Sequence, residues 1–282
     1  METKITRGSK EIVISDKHCT VLIGERLNPT GRKKLTEALK VGDLSLVKEE
    51  ALAQVRSGAD ILDVNVGVAG VDEVSLISEV VHLVLESVEV PLCIDSNATR
   101  TLETALRLYK GKPLVNSVNG EERSLEEILP LVKEYGAAVI GLPGDEKGIP
   151  MDPERRLVIT HKILDRAEAM GIPPENVVID CLAMTVGADG KAGTVVLETI
   201  RKIRSEFGVN LTLGASNISF GLPDRALINS TFLAMAIAAG VNCPIVDAAK
   251  VLPVVRASDL ILGRDMYARR YTKSYRERVS QQ

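Results

Sequence analysis

Eight short apolar runs alternate with helical stretches along this chain, and nearly all of them end in a carboxylate, an amide or a hydroxyl. The run Leu211-Thr-Leu-Gly214 sets the pattern. Its apolar residues suit a buried strand, Gly214 ends it where a side chain would block a ligand, and Ser216 and Asn217 then stand at its mouth. The other runs span 21–25, 59–66, 91–95, 113–117, 137–142, 177–180 and 243–247. Strands of this length alternating with helices are the repeat signature of a (β/α)8 TIM barrel, an α/β fold that commonly reaches about 250 residues as one domain. An open doubly wound sheet would alternate too. Against it, no GxGxxG follows the first strand, and the polar residues sit at many strand ends rather than at one switch point. The 282 residues are therefore expected to form a single domain, with a short N-terminal extension at 1–20 and a basic, Tyr-containing tail at 263–282.

The punctuation between strands fits this reading. A helix over 43–57 has Asp43 as its cap and stops at Gly58, and another runs over 72–88. Ser96 or Asn97 can cap a helix ending at Gly111, and Ser124 with Glu127 has capping-box spacing for a helix ending at Gly136. Asp152-Pro153 opens a helix closed by Gly171, a further one stops at Gly208, and the last spans 224–239. Pro29 and Gly31 forbid a continuing helix after the first strand, so that segment reads as a loop. The loops 143–150 and 188–193 are rich in Gly and charge. In the N-terminal extension, a strand over 11–15, a turn at Asp16-Lys17 and a return through Cys19 predict a small hairpin closing one end of the domain.

Composition narrows the function. The chain is 45% hydrophobic but only 3% aromatic with no Trp, so its core must be built from Val, Ile, Leu and Ala, which suits parallel strands covered by helices. A net charge of -3 gives no global attraction to nucleic acid or to an anionic membrane. The apolar run over 80–90 is broken by His82, Glu86 and Glu89, no stretch approaches the roughly 20 residues of a membrane span, and no signal peptide opens the chain, so a cytoplasmic protein is expected. Cys19, Cys93, Cys181 and Cys243 are isolated in sequence and His18, His82 and His161 are scattered, which predicts buried reduced thiols and no protein-bound metal. In the tail, six Lys/Arg face two Asp/Glu, and Tyr267, Tyr271 and Tyr275 recur every four residues, so helical spacing would align them on one face. Such a face either docks a partner or, more simply, packs on the barrel or a second subunit.

In a barrel of this kind the C-terminal ends of the strands ring one open mouth. Those ends carry Glu25 and Asn28, Asp63 and Asn65, Asp95 with Ser96 and Asn97, Asn116 with Asn119, Asp180, Ser216 with Asn217, and Asp247. Carboxylates and amides dominate, and Arg26 and Arg32 are the nearby cations. That mixture argues against a phosphate-rich substrate, which demands Arg, Lys or glycine-rich nests. It favours a neutral heterocycle, because a carboxylate takes two parallel N–H groups and an Asn donates and accepts at once. A pterin presents such an edge. Plainer roles stand beside these: Asp63 and Asn65 could form a polar layer inside the barrel, Ser96, Asn97 and Asp247 could cap helices, and Asn28-Pro-Thr-Gly31 could be a turn.

Six motifs in order carry a resemblance: Gly24-Glu-Arg-Leu-Asn-Pro-Thr-Gly31, Asp63-Val-Asn-Val-Gly67, Cys93-Ile-Asp-Ser96, Asn116-Ser-Val-Asn119, Ile179-Asp180 and Gly214-Ala-Ser-Asn-Ile-Ser219. With 229–236 they resemble the pterin-binding methyltransferases, over about residues 21 to 262. The likeness is to the methyltetrahydrofolate–corrinoid/iron–sulfur protein methyltransferases and to the folate domain of cobalamin-dependent methionine synthases. It implies a pterin-binding, dihydropteroate synthase-like TIM barrel that moves a methyl group between N5 of 5-methyltetrahydrofolate and the cobalt of a corrinoid. Carried over, the family's roles would make Asp95, Asn116 and Asp180 the hydrogen-bonding partners of the pterin ring. Asn217 would lie near N5, with Gly214 and Ser216 shaping the adjacent wall and Glu25, Asn28, Asp63 and Ser96 completing the site. Asn217, Asp180 and Asp95 would be the catalytic set. No cysteine cluster suited to a zinc and no cobalamin domain is present in the sequence, so the resemblance implies that the cobalamin arrives on a separate corrinoid protein, and that the chain is a homodimer. Dihydropteroate synthases share the fold, but they carry Ser-Arg-Lys after the seventh strand where Ser216-Asn217-Ile218 stands here. A non-catalytic folate-binding protein is the remaining alternative.

Overall fold

The computed structural model describes residues 1–280. In chain order its elements are β1 (Thr3–Arg7), β2 (Lys10–Ile14), β3 (Ile23–Leu27), α1 (Lys33–Lys40), α2 (Ser45–Arg56), β4 (Ile61–Asn65), α3 (Glu73–Ser87), β5 (Leu92–Asp95), α4 (Thr99–Leu108), β6 (Gly111–Lys112) and β7 (Leu114–Asn119). They continue with α5 (Glu122–Glu134), β8 (Ala138–Leu142), α6 (Pro153–Ala169), β9 (Val177–Asp180), α7 (Ala192–Phe207), β10 (Asn210–Thr212), α8 (Arg225–Ala239), β11 (Ile245–Val246), α9 (Ala248–Ile261) and α10 (Arg269–Val279). Eight strands run parallel in the order β10-β9-β8-β7-β5-β4-β3-β11. The two ends of that sheet meet: Ile245 N–H donates to Leu213 O at 2.9 Å and Gly214 bridges Ile245. The result is a (β/α)8 TIM barrel.

Side-chain alternation along each strand divides the core in two. Leu22, Leu62, Val64, Ile94, Val115 and Ile179 point outward into the layer between sheet and helices. Ile23, Ile61, Cys93, Leu114 and Val178 point inward and fill the barrel. Gly24 belongs to the outward set, where α2 comes so close that a Cβ would stand 3.0 Å from both Gln54 Oε1 and a Leu62 methyl. Two residues on from each inward apolar residue, on the same face, the side chain is polar: Glu25, Asp63, Asp95, Asn116 and Asp180. The strands therefore build an apolar floor and a polar upper layer from one period-two pattern.

The floor is sealed by the N-terminal hairpin. β1 pairs with β2 in antiparallel register and β6 adds to its other edge. Ile5 and Ile14 are fully buried and pack with the inward residues of the barrel, and Asn210 Nδ2 ties the plug down by donating to Thr3 Oγ1 at 2.8 Å and Ile14 O at 2.9 Å. The hairpin was expected, but its turn lies at Gly8-Ser9 rather than at Asp16-Lys17, because Gly8 takes a φ of +53° without a Cβ penalty. Asp16 instead pairs with Arg204 at 2.6 Å.

Other boundaries shift for identifiable reasons. The segment after β3 holds the unexpected helix α1, which starts beyond Gly31 and buries Leu35 and Leu39. Helix α4 ends at Leu108, since Gly111 opens the strand that pairs with Arg7. Ser124 and Glu127 do not form a capping box: α5 begins at Glu122, Ser124 Oγ accepts from Asn119 N–H at 3.0 Å, and Glu127 takes Thr99 and Arg123. Asp43 accepts from Ser45 N–H, but Leu44 occupies the cap position of α2. Asp152 caps α6 as expected, and Asp72 caps α3. Tyr267 lies outside α10 with a φ of +59°, so it is not aligned with Tyr271 and Tyr275, and all three are exposed rather than packed on the barrel. Cys93, Cys181 and Cys243 are buried free thiols, whereas Cys19 is half-buried. The end of the tail, 281–282, lies outside the described residues. Among the described residues no helix is long and apolar enough to cross a membrane.

Candidate active site

The inward polar residues of β4, β5 and β7, with Asn28 from the loop after β3, form one layer. Asn65, Asp95 and Asn116 lie side by side in the register of β4, β5 and β7. Asn116 Nδ2 donates to Asp63 Oδ1 at 3.1 Å, and Asn28 Nδ2 reaches from the loop after β3 to Asp95 Oδ2 at 3.1 Å. Burial and the neighbouring Asp95 charge push the Asp63 carboxyl well above the usual carboxylate range, against the hydrogen bond from Asn116. Burial pushes Asp95 up to about 6, against a hydrogen bond from Asn65. Two carboxyls this close in a dry site resist being ionised together, and Asp63, 2% exposed, sits deeper. Asp63 thus belongs to the internal polar layer and faces the mouth through Asn116.

Asp180 closes the layer on the opposite side. It is 8% exposed, its Oδ1 accepts from Leu182 N–H at 2.7 Å, and burial pushes it up to about 6 against that bond and the charge of Arg156. Ser216 and Asn217 lie on a single 3-10 turn, Ala215–Ser219, directly after β10. Ser216 Oγ donates to Glu25 Oε1 at 2.9 Å, joining this turn to β3 across the seam of the barrel, and burial holds Glu25 above its ordinary value. Asn217 is exposed, and its amide lies over Gly214, where a Cβ would stand 3.0 Å from Nδ2. Arg225 fixes the turn from outside by donating to Ser216 O at 2.9 Å and Ser219 Oγ at 3.0 Å.

Two candidates serve the scaffold instead. Ser96 is buried and its Oγ accepts from Ala98 N–H at 3.1 Å, a turn contact leading into α4. Asp247 makes no capping bond to α9; its carboxylate is taken by Gln54 at 3.0 Å, Lys250 at 3.2 Å and Arg26 at 3.8 Å. The cations expected near the mouth are also spent, because Arg26 and Arg32 both bind Glu50. The upper layer is therefore rich in carboxylates and amides, with Arg26 and Arg32 held as ion pairs, and it can hold a neutral ring by N–H bonds from several sides. Among the described residues no three His, Cys, Asp or Glu side chains are grouped to hold a metal ion.

Arg156, which no motif in the sequence singles out, is bound to the carbonyls of Cys181 and Leu182 just after Asp180, with only 1% of its surface exposed. Its signal was present: Arg156, Thr160, Ile163 and Ala167 recur at helical spacing along the buried side of α6, and a charged residue at the head of an apolar stripe must have partners. Gln54, which reaches Asp247 from α2, is likewise singled out by no motif.

Comparison with known proteins agrees with the architecture. The Yersinia pestis DHPS determined with a pterine–sulfa conjugate superposes with a TM-score of 0.69 at 16% identity, covering 93% of this chain and 99% of that one. The dihydropteroate synthase of Xanthomonas albilineans in complex with 7,8-dihydropteroate gives 0.67 at 16% identity, covering 92% and 98%. At such identity the likeness is one of fold. In sequence the chain is 31% identical over 265 residues to the methylcorrinoid:tetrahydrofolate methyltransferase of Eubacterium limosum, covering 91% of this chain and 96% of that protein. It is 33% identical over 249 residues to the methionine synthase of Mycobacterium tuberculosis, covering 84% of this chain but 21% of that longer protein. A family model described as pterin binding enzyme matches residues 24–247, which span β3 through the residue after β11. The chain belongs to the family of pterin-binding enzymes.

Proposed function

We propose that this protein is a methyltransferase that moves a methyl group between N5 of tetrahydrofolate and the cobalt of a corrinoid carried by a separate protein. The observation that carries the reading is the similarity to the Eubacterium limosum methylcorrinoid:tetrahydrofolate methyltransferase along nearly the whole of both chains. The site chemistry is compatible with it. Asp180 and Asp95 would accept N–H groups of the pterin, and Asn116, with one amide hydrogen already on Asp63, would offer its carbonyl oxygen to a third.

The corrinoid supplies a cobalt nucleophile when the methyl group leaves folate. An uncharged tertiary amine leaves poorly, so positive charge must be present or develop at N5. The exposed amide of Asn217 can turn over Gly214 and accept a hydrogen bond from protonated N5, which favours the transition state more than the ground state. A carboxylate there would tighten ground-state binding as well. The proton would come through water and the carboxyl network of Asp63, Asp95 and Asp180.

The approach of a large partner is served by the rim on the Asn217 side. Ile149 and Met151 after β8 and Phe220 after β10 are exposed, and Thr185 Oγ1 donates to Phe220 O at 2.7 Å, joining the loops after β9 and β10. The loops 143–150 and 188–193 are the proposed partner contacts. The proposal includes a single pterin-binding domain that pairs as a homodimer. Helix α8 has no charged side chain from Ala226 to Ala239 and exposes Leu227 and Met235, an outer face that suits a second copy and that sedimentation reads directly.

Calorimetric titration with 5-methyltetrahydrofolate tests the site. The wild type is expected to bind, and Asp180→Asn and Asn116→Ala to bind at least about ten-fold more weakly through loss of buried hydrogen bonds. Unchanged affinity in both variants would place the folate elsewhere.

A further inference from the structure

The Cys181–Leu182 peptide is held from both sides. Arg156 Nη1 donates to Cys181 O at 2.7 Å and to Leu182 O at 3.0 Å, while its Nε donates to Pro150 O at 2.8 Å. The N–H of the same Cys181–Leu182 peptide donates to Asp180 Oδ1 at 2.7 Å. Leu182 has a φ of +53°, a left-handed conformation that a leucine adopts only under constraint. A guanidinium on a peptide carbonyl polarises the N–H at the other end, and hydrogen bonds in such a chain reinforce one another in a low dielectric. The charge of a residue on α6 is thus delivered to a carboxylate on β9 by the one peptide between them.

We propose that Arg156 is a positioning residue: acting through the Cys181–Leu182 peptide, it orients the Asp180 carboxylate and keeps it ionised for its ligand without touching that ligand. That the ligand is a folate rests on the function proposed above; the relay itself does not. Burial drives Asp180 toward its neutral form, and Arg156 is the opposing cation. The Cys181 thiol beside Asp180 and the Cys243 thiol from the loop before β11 are both pushed up by burial and add no charge, and Thr212 on β10 is the register partner of Asp180. The same guanidinium ties the loop after β8 to that after β9, which explains why a buried arginine stands where an apolar residue would otherwise fill the stripe.

The test is the titration of the Asp180 carboxyl, followed by carbon NMR of aspartate-labelled protein and assigned by its loss in Asp180→Asn. In wild type the midpoint is expected near 6. Arg156→Met is expected to raise it by about one pH unit or more, and Arg156→Lys, which keeps the charge but cannot reach three carbonyls at once, by less. In parallel, the pH below which 5-methyltetrahydrofolate binding weakens should move up by the same amount in each variant. Wild type that binds no folate would sink the pterin reading and leave the NMR midpoint to decide the relay. An Asp180 midpoint unmoved in whichever variant retains the wild-type circular dichroism and melting behaviour would overturn the proposal, and so would a uniform loss of affinity with no change in its pH dependence.

Discussion

Asp180→Asn should make the protein more stable as the pH rises, relative to wild type, while it loses its ligand. The Asp180 carboxyl goes from an ordinary value of 3.8 to about 6 in the folded protein, with burial as the main cause. A group whose folded pKa lies above its unfolded value binds its proton more tightly in the native state. Its contribution to stability is fully present below 3.8 and is lost as the pH climbs through 6. A rise from 3.8 to about 6 corresponds to about 3 kcal/mol, and Asp180 is 8% exposed, so solvent screens little of it. The asparagine has no charge to desolvate and its carbonyl can still accept from Leu182 N–H, although its unpaired amide hydrogens cost about 1–3 kcal/mol at every pH. The constant cost cancels in the comparison across pH. Urea unfolding of both proteins from pH 3 to pH 8 should therefore show the stability difference moving in favour of the variant by about 3 kcal/mol, mostly between pH 4 and 6.5. A difference that stays flat across that range would refute the reasoning, because it would mean that Asp180 titrates alike in the folded and unfolded chains.

Asn217→Ala should leave unfolding unchanged, since the side chain is exposed, and slow methyl transfer by a factor on the order of 10 or more; an unchanged rate removes Asn217 from the mechanism. Gly214→Ala places a methyl 3.0 Å from Asn217 Nδ2 and should lower kcat with little change in folate affinity, whereas equal losses in both would point to a distorted strand. Ile5→Ala cuts into the plug under the barrel floor and should cost about 2–5 kcal/mol in urea unfolding with the slope preserved; a loss below about 1 kcal/mol would show that the hairpin does not seal the floor.

Most of the barrel could be read from the chain because its strands carry two overlapping signals. Short Val/Ile/Leu runs mark the strands, and on β3, β4, β5, β7 and β9 a polar residue two positions beyond an inward apolar one marks the upper layer of the barrel. Asp95, Asn116 and Asp180 were visible for that reason, and the strand 177–180 is matched to the residue. What the chain concealed depends on contacts between distant segments. The strand at Gly111 exists only because β1 is there to pair with it, and the hairpin turn lies at Gly8 because Thr3–Arg7, polar everywhere but Ile5, needs the barrel floor to become a strand. Ser124 and Glu127 have capping-box spacing, yet Ser124 serves the Asn119 amide instead, a choice that local sequence cannot reveal. Arg26 and Arg32 looked like free cations until Glu50, on α2, took both. Arg156 shows the limit in the other direction, since its position was recorded in the stripe of α6 but its target lay on another strand.

Methyl transfer itself can be followed in one anaerobic experiment. The protein is mixed with 5-methyltetrahydrofolate and chemically reduced cobalamin, and methylcobalamin formation is followed by absorbance. Transfer is expected to depend on the protein and to fall on the order of 10-fold or more with Asn217→Ala. Folate bound tightly, with no transfer to free cobalamin or to any cobalamin-loaded corrinoid protein supplied in its place, would contradict it and leave a pterin-binding barrel without the chemistry.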